Sequence, residues 1–232
     1  MLDVGSEALC ESAQAQDYPI IAIPGVEQKI PLDLQLLDLW DTDVTDEGAK
    51  KLAALTNLFS LSLIDTNVTD ASMKDPAALK SLTNLNLGST KVTNAGMREL
   101  AALKTLTVLD LTGTKVSDLG LKEVAVLKSL TRLHLGDTNV TDAGMKELAV
   151  LKSLTTLDVC FTKLTDAGLK DLASFKNLTS LDLSSTKVTD TGVKKLASAL
   201  KSLTWLSLSN TQVTDAYVKE LRAKLPKCKI LS

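Results

Sequence analysis

A threonine that recurs at a fixed interval is the feature that most constrains this chain. Threonine followed two residues later by valine or leucine recurs in register at eight positions, with six intervals of 24 residues and a last interval of 25. The positions are Thr42, Thr66, Thr90, Thr114, Thr138, Thr162, Thr186 and Thr211. A constant period indicates a repeated supersecondary unit, because such a unit can bury its apolar face only against its neighbours.

Each unit contains the pattern of a strand followed by that of a helix. In residues 106–129, Leu109 and Leu111 alternate with outward residues, as expected of a strand with one buried face. Leu121 and Val124 then follow at helical spacing. Stacked units predict an α/β solenoid with a concave parallel sheet of eight strands and convex short helices. A doubly wound α/β sheet is the alternative, but its strands would be more continuously apolar and its helices longer.

A residue with a hydroxyl side chain precedes each predicted helix, and the next residue, at the start of the helix, is an acid or an amide. Thr93, Ser117, Thr141 and Thr165 are placed to accept a hydrogen bond from the first helical turn. The next residue, Asp or Asn, lies near the positive end of the helix dipole. We interpret the glycines that end the VTDAG-like segments of six units as part of the turn into the helix.

The spacing LxxLxLxxTxVTDxG, repeated from about Leu34 to Leu231, resembles the leucine-rich-repeat superfamily. The resemblance is to the bacterial and F-box-associated branch with short convex helices. It implies a right-handed horseshoe that binds a protein partner. Many families of this kind have an asparagine in the turn where this chain has threonine, and we expect the threonine hydroxyls to form equivalent turn hydrogen bonds.

The sequence divides into an N-terminal cap, residues 1–33, and a repeat domain, residues 34–232, of eight repeats including a C-terminal cap. Within the cap, Ser6 to Gln16 is consistent with a short helix. The segment YPIIAIPG, residues 18–25, is predicted to lie extended over the first unit. The cap does not resemble an F-box, so nothing in it supports a ubiquitin-ligase adaptor role.

Three units depart from the pattern. In the second, Ser72 replaces glycine and Pro76 replaces an apolar residue, so we predict a shortened convex element in which Asp75 caps a late helix start. The seventh unit has one extra residue near positions 198–200, which predicts a longer helix. The eighth has Tyr217 in place of glycine and a polar end that is expected to cover the core and discourage edge pairing.

Composition limits the partners. The chain has 26 basic and 28 acidic residues, so its net charge of −2 favours neither nucleic acid nor an anionic membrane. Its three cysteines are far apart, which fits a reducing compartment. The first residues lack the basic and apolar regions of a signal peptide, and no later segment could span a membrane. We therefore expect a cytoplasmic monomer, with a secreted effector that has no classical signal peptide as the alternative.

Side chains that point out of the concave face are free to vary, and here they are acidic with interspersed aromatic residues. The four columns that flank the strand leucines contain seven aspartates and one arginine, which predicts a partner with a basic surface. The predicted contact residues are Asp38, Trp40, Ile64, Asp110, Arg132, His134, Asp158, Phe161, Asp182 and Trp205. Two alternatives remain: the aspartates only keep an exposed sheet soluble, and Trp40 and Trp205 pack under the caps.

His134, the only histidine, should stack between Asp110 and Asp158 near Cys160. Such a set could bind a metal, respond to pH or support thiol chemistry. A solvated polar row is the simpler interpretation, because a neighbouring acid raises the pKa of a thiol and so does not activate the thiol.

No catalytic or cofactor motif is present. We therefore predict a non-catalytic protein-binding scaffold without a cofactor. An adaptor or secreted-effector recognition domain is the alternative, and a metal- or thiol-dependent enzyme centred on His134 is the alternative of another class.

Overall fold

The computed structural model describes residues 20–232, which begin with a small hairpin packed on a solenoid. Strands β1 (Ile20–Ala22) and β2 (Lys29–Pro31) pair antiparallel, and Ile23 and Ile30 are buried in the common core. Gly25, between the strands, has a φ of +87°, and a side chain there would collide with the backbone oxygen of Asp43. The apolar stretch over the first unit is thus confirmed from residue 20 onward, whereas the helix predicted at Ser6 to Gln16 lies outside the described residues.

The main sheet is parallel, and its strand order follows the chain. Within residues 20–232 it contains nine strands: β3 (Leu36–Asp38), β4 (Ser60–Ser62), β5 (Asn84–Asn86), β6 (Val108–Asp110), β7 (Arg132–His134), β8 (Thr156–Asp158), β9 (Ser180–Asp182), β10 (Trp205–Ser207) and β11 (Lys229–Leu231). The first eight confirm the prediction, and the ninth corrects it. The C-terminal segment, which we expected to discourage edge pairing, continues the sheet because Ile230 pairs with Leu206 and is buried.

Short helices occupy the other side of each unit. They are α1 (Asp46–Leu52), α2 (Asn94–Leu100), α3 (Asp118–Val124), α4 (Asp142–Leu148), α5 (Asp166–Leu172), α6 (Asp190–Ala199) and α7 (Asp215–Lys224). The longer α6 confirms the effect of the extra residue in the seventh unit. Neighbouring strands lie about 4.8 Å apart whereas packed helices need about 8–10 Å, so the sheet forms the concave face and the helices the convex face.

The second unit has two 3-10 helices, Asp70–Ser72 and Pro76–Ala78, in place of an α-helix. The predicted shortening is confirmed, and Pro76 is the first residue of its helix. The cap assigned to Asp75 is wrong: its backbone is helical and its side chain accepts no capping hydrogen bond. A capping residue needs an extended backbone for its side chain to reach the next amides.

The repeating threonines close the turns as expected. Each hydroxyl donates to the backbone oxygen three residues earlier, at 2.6 to 2.8 Å, and the bond recurs in all eight units. Six of these threonines are less than 10% exposed, so the bond satisfies a hydroxyl that is out of reach of water. The threonine hydroxyls therefore form the turn hydrogen bonds that we expected in place of those made by asparagine in related repeats.

The acid at the start of each helix joins its unit to the next one, which the sequence did not predict. Asp142 Oδ1 accepts the backbone N–H of Thr165 at 2.8 Å, and Asp142 Oδ2 accepts its hydroxyl at 2.7 Å. Equivalent links join Asp46 to Thr69, Asp70 to Thr93, Asn94 to Ser117, Asp118 to Thr141, Asp166 to Thr189 and Asp190 to Thr214. We call this series the acid–hydroxyl ladder.

The ladder also corrects our interpretation of the repeated glycines. Gly168 is the third residue of α5, and its backbone is not left-handed. A Cβ atom at Gly168 would lie 2.6 Å from Asp142 Oδ1. Glycine is therefore required by the close approach of the preceding unit's carboxylate, and not by a turn.

Candidate functional site

The candidate site is the concave strip, which we define as the outward residues of β3 to β10 and the second and third residues after each strand. Its central acids have a structural role in addition to their charge. In five units the side chain accepts the backbone N–H of the residue two positions later, at 2.8 to 3.1 Å; the acceptors are Asp38, Asn86, Asp110, Asp158 and Asp182. This is the local turn that Asp and Asn favour, so solubility alone does not explain the column.

The aspartates differ in how much of each carboxylate remains for a partner. Asp110 uses Oδ1 for its own turn, and its Oδ2 accepts the side-chain amide of Asn86 at 3.1 Å. Asp182 uses Oδ1 for Ser184, and its Oδ2 accepts no hydrogen bond from residues 20–232. Asp158 Oδ2 lies 3.8 Å from His134 Nδ1, and the Cys160 side chain also bonds to the Asp158 carboxylate. Asp182 therefore keeps one oxygen without a hydrogen bond from the described residues, whereas the second oxygen of Asp158 contacts His134.

The strand register places His134 between Asp110 and Asp158, as predicted. The contact with Asp158 raises the pKa of His134 above its usual 6.5, against the effect of partial burial; Asp110 also raises it, and Arg132 lowers it. The pKa of Asp158 is lowered, because bonds from His134 and Cys160 outweigh burial, which alone would raise it. The pair is thus a pH-sensitive contact at the centre of the strip.

His134 is therefore expected to titrate above 6.5 in the folded protein. Protonation of His134 then stabilises the fold, and this contribution is complete below the unfolded pKa and is lost as the pH rises through the higher folded pKa. The Cε1 proton of the single histidine reports the pKa directly in an NMR titration. Asp158→Asn should lower that pKa, and Asp110→Asn should lower it less; equal pKa values in wild type and Asp158→Asn would contradict the assignment.

Cys160 is poorly suited to thiol chemistry. Burial, followed by the neighbouring Asp158, raises the pKa of its thiol to about 12. Thiolate is the nucleophilic form, so the side chain is essentially neutral and unreactive near pH 7.

Among residues 20–232, no three His, Cys, Asp or Glu side chains are grouped so as to hold a metal ion.

Two aromatic side chains of the strip extend into solvent. Trp40 is 64% exposed and Phe161 is 63% exposed, so Trp40 does not pack under the described part of the cap, residues 20–33. Trp205 is half-buried on β10, where Lys229 of the last strand is its register partner. Exposed aromatic side chains on a polar face are typical binding anchors.

Phe161 also has a backbone conformation that disfavours its side chain. The second residue after each strand leucine has φ between +52° and +69° in all eight units: Asp41, Asp65, Ser89, Gly113, Asp137, Phe161, Ser185 and Asn210. Small polar residues and glycine tolerate this left-handed region, and a bulky aromatic residue there is an outlier. The preference for Asp, Ser, Gly and Asn in this column was the signal that sequence reasoning missed.

The strip contains two shallow recesses. One, of about 320 Å³, is lined by Leu157 and by His134, Thr156, Asp158, Ser180, Asp182 and Trp205. The other, of about 370 Å³, is lined by Asp38, Ser60, Leu61, Ser62, Ile64, Asn84, Leu85, Asn86, Val108, Asp110 and His134. Seven of the ten predicted contact residues therefore line these recesses, and His134 lines both. Trp40, Arg132 and Phe161 line neither recess.

A family model described as leucine-rich repeat matches the chain at residues 33–53, 78–101, 102–125, 126–149, 150–173 and 176–197. These segments cover more than half of the sequence, so the chain belongs to the leucine-rich-repeat family. The unmatched residues 54–77 include most of the unit in which 3-10 helices replace the convex helix. Leucine-rich repeats are in general scaffolds for protein–protein interaction, and their proteins are typically non-catalytic.

Three solved structures with the same fold come from bacteria. An internalin, inlF, from Listeria monocytogenes is 26% identical with a TM-score of 0.71, and the match covers 87% of this chain and 54% of that one. Internalin C2 from the same species is 26% identical with a TM-score of 0.53, covering 82% and 85%. A leucine-rich-repeat protein from Leptospira interrogans, 22% identical with a TM-score of 0.54 over 85% and 60%, shares the fold.

The chain thus spans 54% of the first of these proteins and 60% of the Leptospira protein. No curated protein matches the chain by sequence. Among residues 20–232, no helix has the length and apolar character needed to cross a membrane.

Proposed function

We propose that this leucine-rich-repeat chain is a non-catalytic scaffold that binds a protein partner with a basic surface through its concave strip. The observation that carries the proposal is the charge of the strip. The strip contains seven aspartates and one arginine, whereas the whole chain has a net charge of only −2. Such a concentration of one charge steers an oppositely charged partner and sets its orientation.

The exposed aromatic residues support the same role. Phe161 and Trp40 are almost two-thirds exposed, and burying such side chains against a partner provides the apolar part of binding that charge alone does not. The proposed contact residues are Asp38, Trp40, Ile64, Arg132, His134, Asp158, Phe161, Asp182 and Trp205, with Asp110 contributing charge at longer range because both its oxygens are already bonded.

A catalytic role for the His134 cluster has little support. The thiol of Cys160 has a pKa of about 12, and His134 contacts Asp158 instead of the thiol. The recess beside His134 is shallow and open, whereas catalytic groups usually act where water is excluded. The cluster is better suited to binding a partner than to activating a substrate.

The double variant Asp158→Asn/Asp182→Asn tests the role of the strip. Asparagine retains the Oδ1 that accepts each turn amide, so the fold should be unchanged while two negative charges are removed. A partner is first isolated by affinity capture with the wild-type chain, and its dissociation constant is then measured by calorimetry. We expect binding to weaken by roughly tenfold or more, with a smaller dependence on salt.

Two variants control this experiment. Asp110→Asn removes the same charge from the same face, but its oxygens are bonded within the sheet, so we expect a change of less than about threefold. Arg132→Gln removes the only arginine of the four columns and should strengthen the binding of a basic partner. An unchanged dissociation constant in the double variant, or weaker binding of Arg132→Gln, would refute the acidic-face proposal.

A further inference from the structure

The two recesses of the concave strip differ in what they offer to a ligand. In the recess on β8 to β10, Thr156 and Ser180 form part of the floor, and the Trp205 side chain stands beside them at one end. Asp158 and Asp182 line it from the adjacent column of neighbouring strands. One recess therefore combines an aromatic surface with two carboxylates.

The two carboxylates differ in how much hydrogen-bonding capacity remains unused. Asp182 bonds Ser184 through Oδ1 only, and among the described residues nothing donates to its Oδ2. Asp158 bonds the Cys160 amide through Oδ1, and its Oδ2 has the 3.8 Å contact with His134. In the other recess, the corresponding oxygen of Asp110 already accepts from Asn86.

We propose that the recess formed by Asp158, Asp182 and Trp205 is a subsite for the guanidinium group of an arginine side chain on the partner. The inference rests on the proposed function, since it names the group that the acidic face recognises. The planar group can stack on the Trp205 ring while its N–H groups donate to Asp182 Oδ2 and share Asp158 Oδ2 with His134. Lysine fits less well, because its ammonium is a compact, strongly hydrated charge without a planar face.

Nearby bases do not block this arrangement. Lys229 pairs with Trp205 in the strand register, but it is not among the residues that line the recess. Arg132 is exposed on the neighbouring part of the strip and forms no ion pair within residues 20–232. His134 lines the recess and lies 3.8 Å from Asp158 Oδ2, so Asp182 Oδ2 is the oxygen that remains fully available to an incoming cation.

An NMR titration with Nα-acetyl-arginine amide tests the subsite without any protein partner. The chain has two tryptophans, so two indole N–H signals report on the two ends of the strip, and Trp40→Phe assigns them. We expect the Trp205 signal to shift and saturate with a dissociation constant on the order of 1 mM. The Trp40 signal, far from the recess, should not move.

Matched probes and variants decide the outcome. Nα-acetyl-citrulline amide has nearly the same shape without the charge and should leave Trp205 unshifted, and Nα-acetyl-lysine amide should bind more weakly than the arginine probe. Asp182→Asn should weaken arginine binding by roughly fivefold or more, and Asp110→Asn by less than about twofold. No shift of Trp205, an equal response to citrulline, or equal affinities of wild type and Asp182→Asn would overturn the subsite. Partner capture is a separate measurement, so loss of the subsite leaves the acidic-face proposal to its own test.

Discussion

Asp142→Ala is expected to lower the free energy of unfolding by about 3 kcal/mol, because two hydrogen bonds to a charged group are lost. Asp142 holds both the backbone N–H and the hydroxyl of Thr165 in the next unit. Alanine leaves both donors unpaired in a partly buried position between helices. Alanine is also the better helix former, so the loss does not arise from helix propensity.

Urea unfolding followed by circular dichroism measures this loss, and the chain provides two controls. Asp215 begins α7 in the same way, but no hydrogen bond in residues 20–232 reaches its carboxylate, so Asp215→Ala should cost less than about 1 kcal/mol from the helix dipole. Asp142→Asn should be intermediate, because Asn94 already makes this link to Ser117 through an amide. Equal losses in Asp142→Ala and Asp215→Ala would mean that the ladder does not stabilise the solenoid.

The ladder explains why neighbouring units hold a fixed relation on the convex side. Each unit contacts only the units beside it, so stability is a sum of unit and interface contributions. The sheet joins units through backbone hydrogen bonds, and the acid–hydroxyl ladder joins their helices. Asn94 facing Ser117 is the one amide among seven links, so we expect the interface between α2 and α3 to depend least on charge.

Features that belong to one unit were predictable from the sequence. The strand leucines, the turn threonines and the effect of Pro76 each depend on residues close together in the chain. Local periodicity and local hydrogen-bonding chemistry therefore predicted the parallel sheet, the short helices and the irregular second unit. The sheet register followed from the constant period, which placed His134 between Asp110 and Asp158.

Features that join units were not predictable, because a single-unit pattern does not show what the next unit contributes. The role of Gly168 depends on a carboxylate from the preceding unit, and Ile230 extends the sheet only because β10 is there to pair with it. Asp110 Oδ2 is bonded because Asn86 of the preceding unit donates to it, whereas Asp182 Oδ2 has no such donor among residues 20–232, and the local sequence shows neither fact. The sequence predicted which residues form the concave strip. Only the structure shows which of its carboxylate oxygens are already hydrogen-bonded.

Phe161→Asn is expected to stabilise the fold and weaken partner binding. Asparagine tolerates the left-handed backbone that Phe161 adopts at φ +53°, so relief of strain should raise the free energy of unfolding by about 1 kcal/mol. The Phe161 side chain is 63% exposed, so its loss removes little core packing. If it is a binding anchor, losing it should cost about 2 kcal/mol of binding, roughly thirtyfold in the dissociation constant.

Opposite changes in stability and affinity distinguish an anchor from a packing residue. Urea unfolding gives the first quantity, and calorimetry with the captured partner gives the second. Asp137→Asn, in the same backbone position one unit earlier, should change stability little because aspartate already tolerates that conformation. Leu119→Ala removes an apolar side chain, 72% exposed, from the convex face and should leave partner binding unchanged. A less stable Phe161→Asn protein would mean that the ring supports the fold. An unchanged dissociation constant would remove Phe161 from the proposed interface. Backbone strain persists where the surrounding structure or a function requires it, so a strained, exposed ring should either pack or bind.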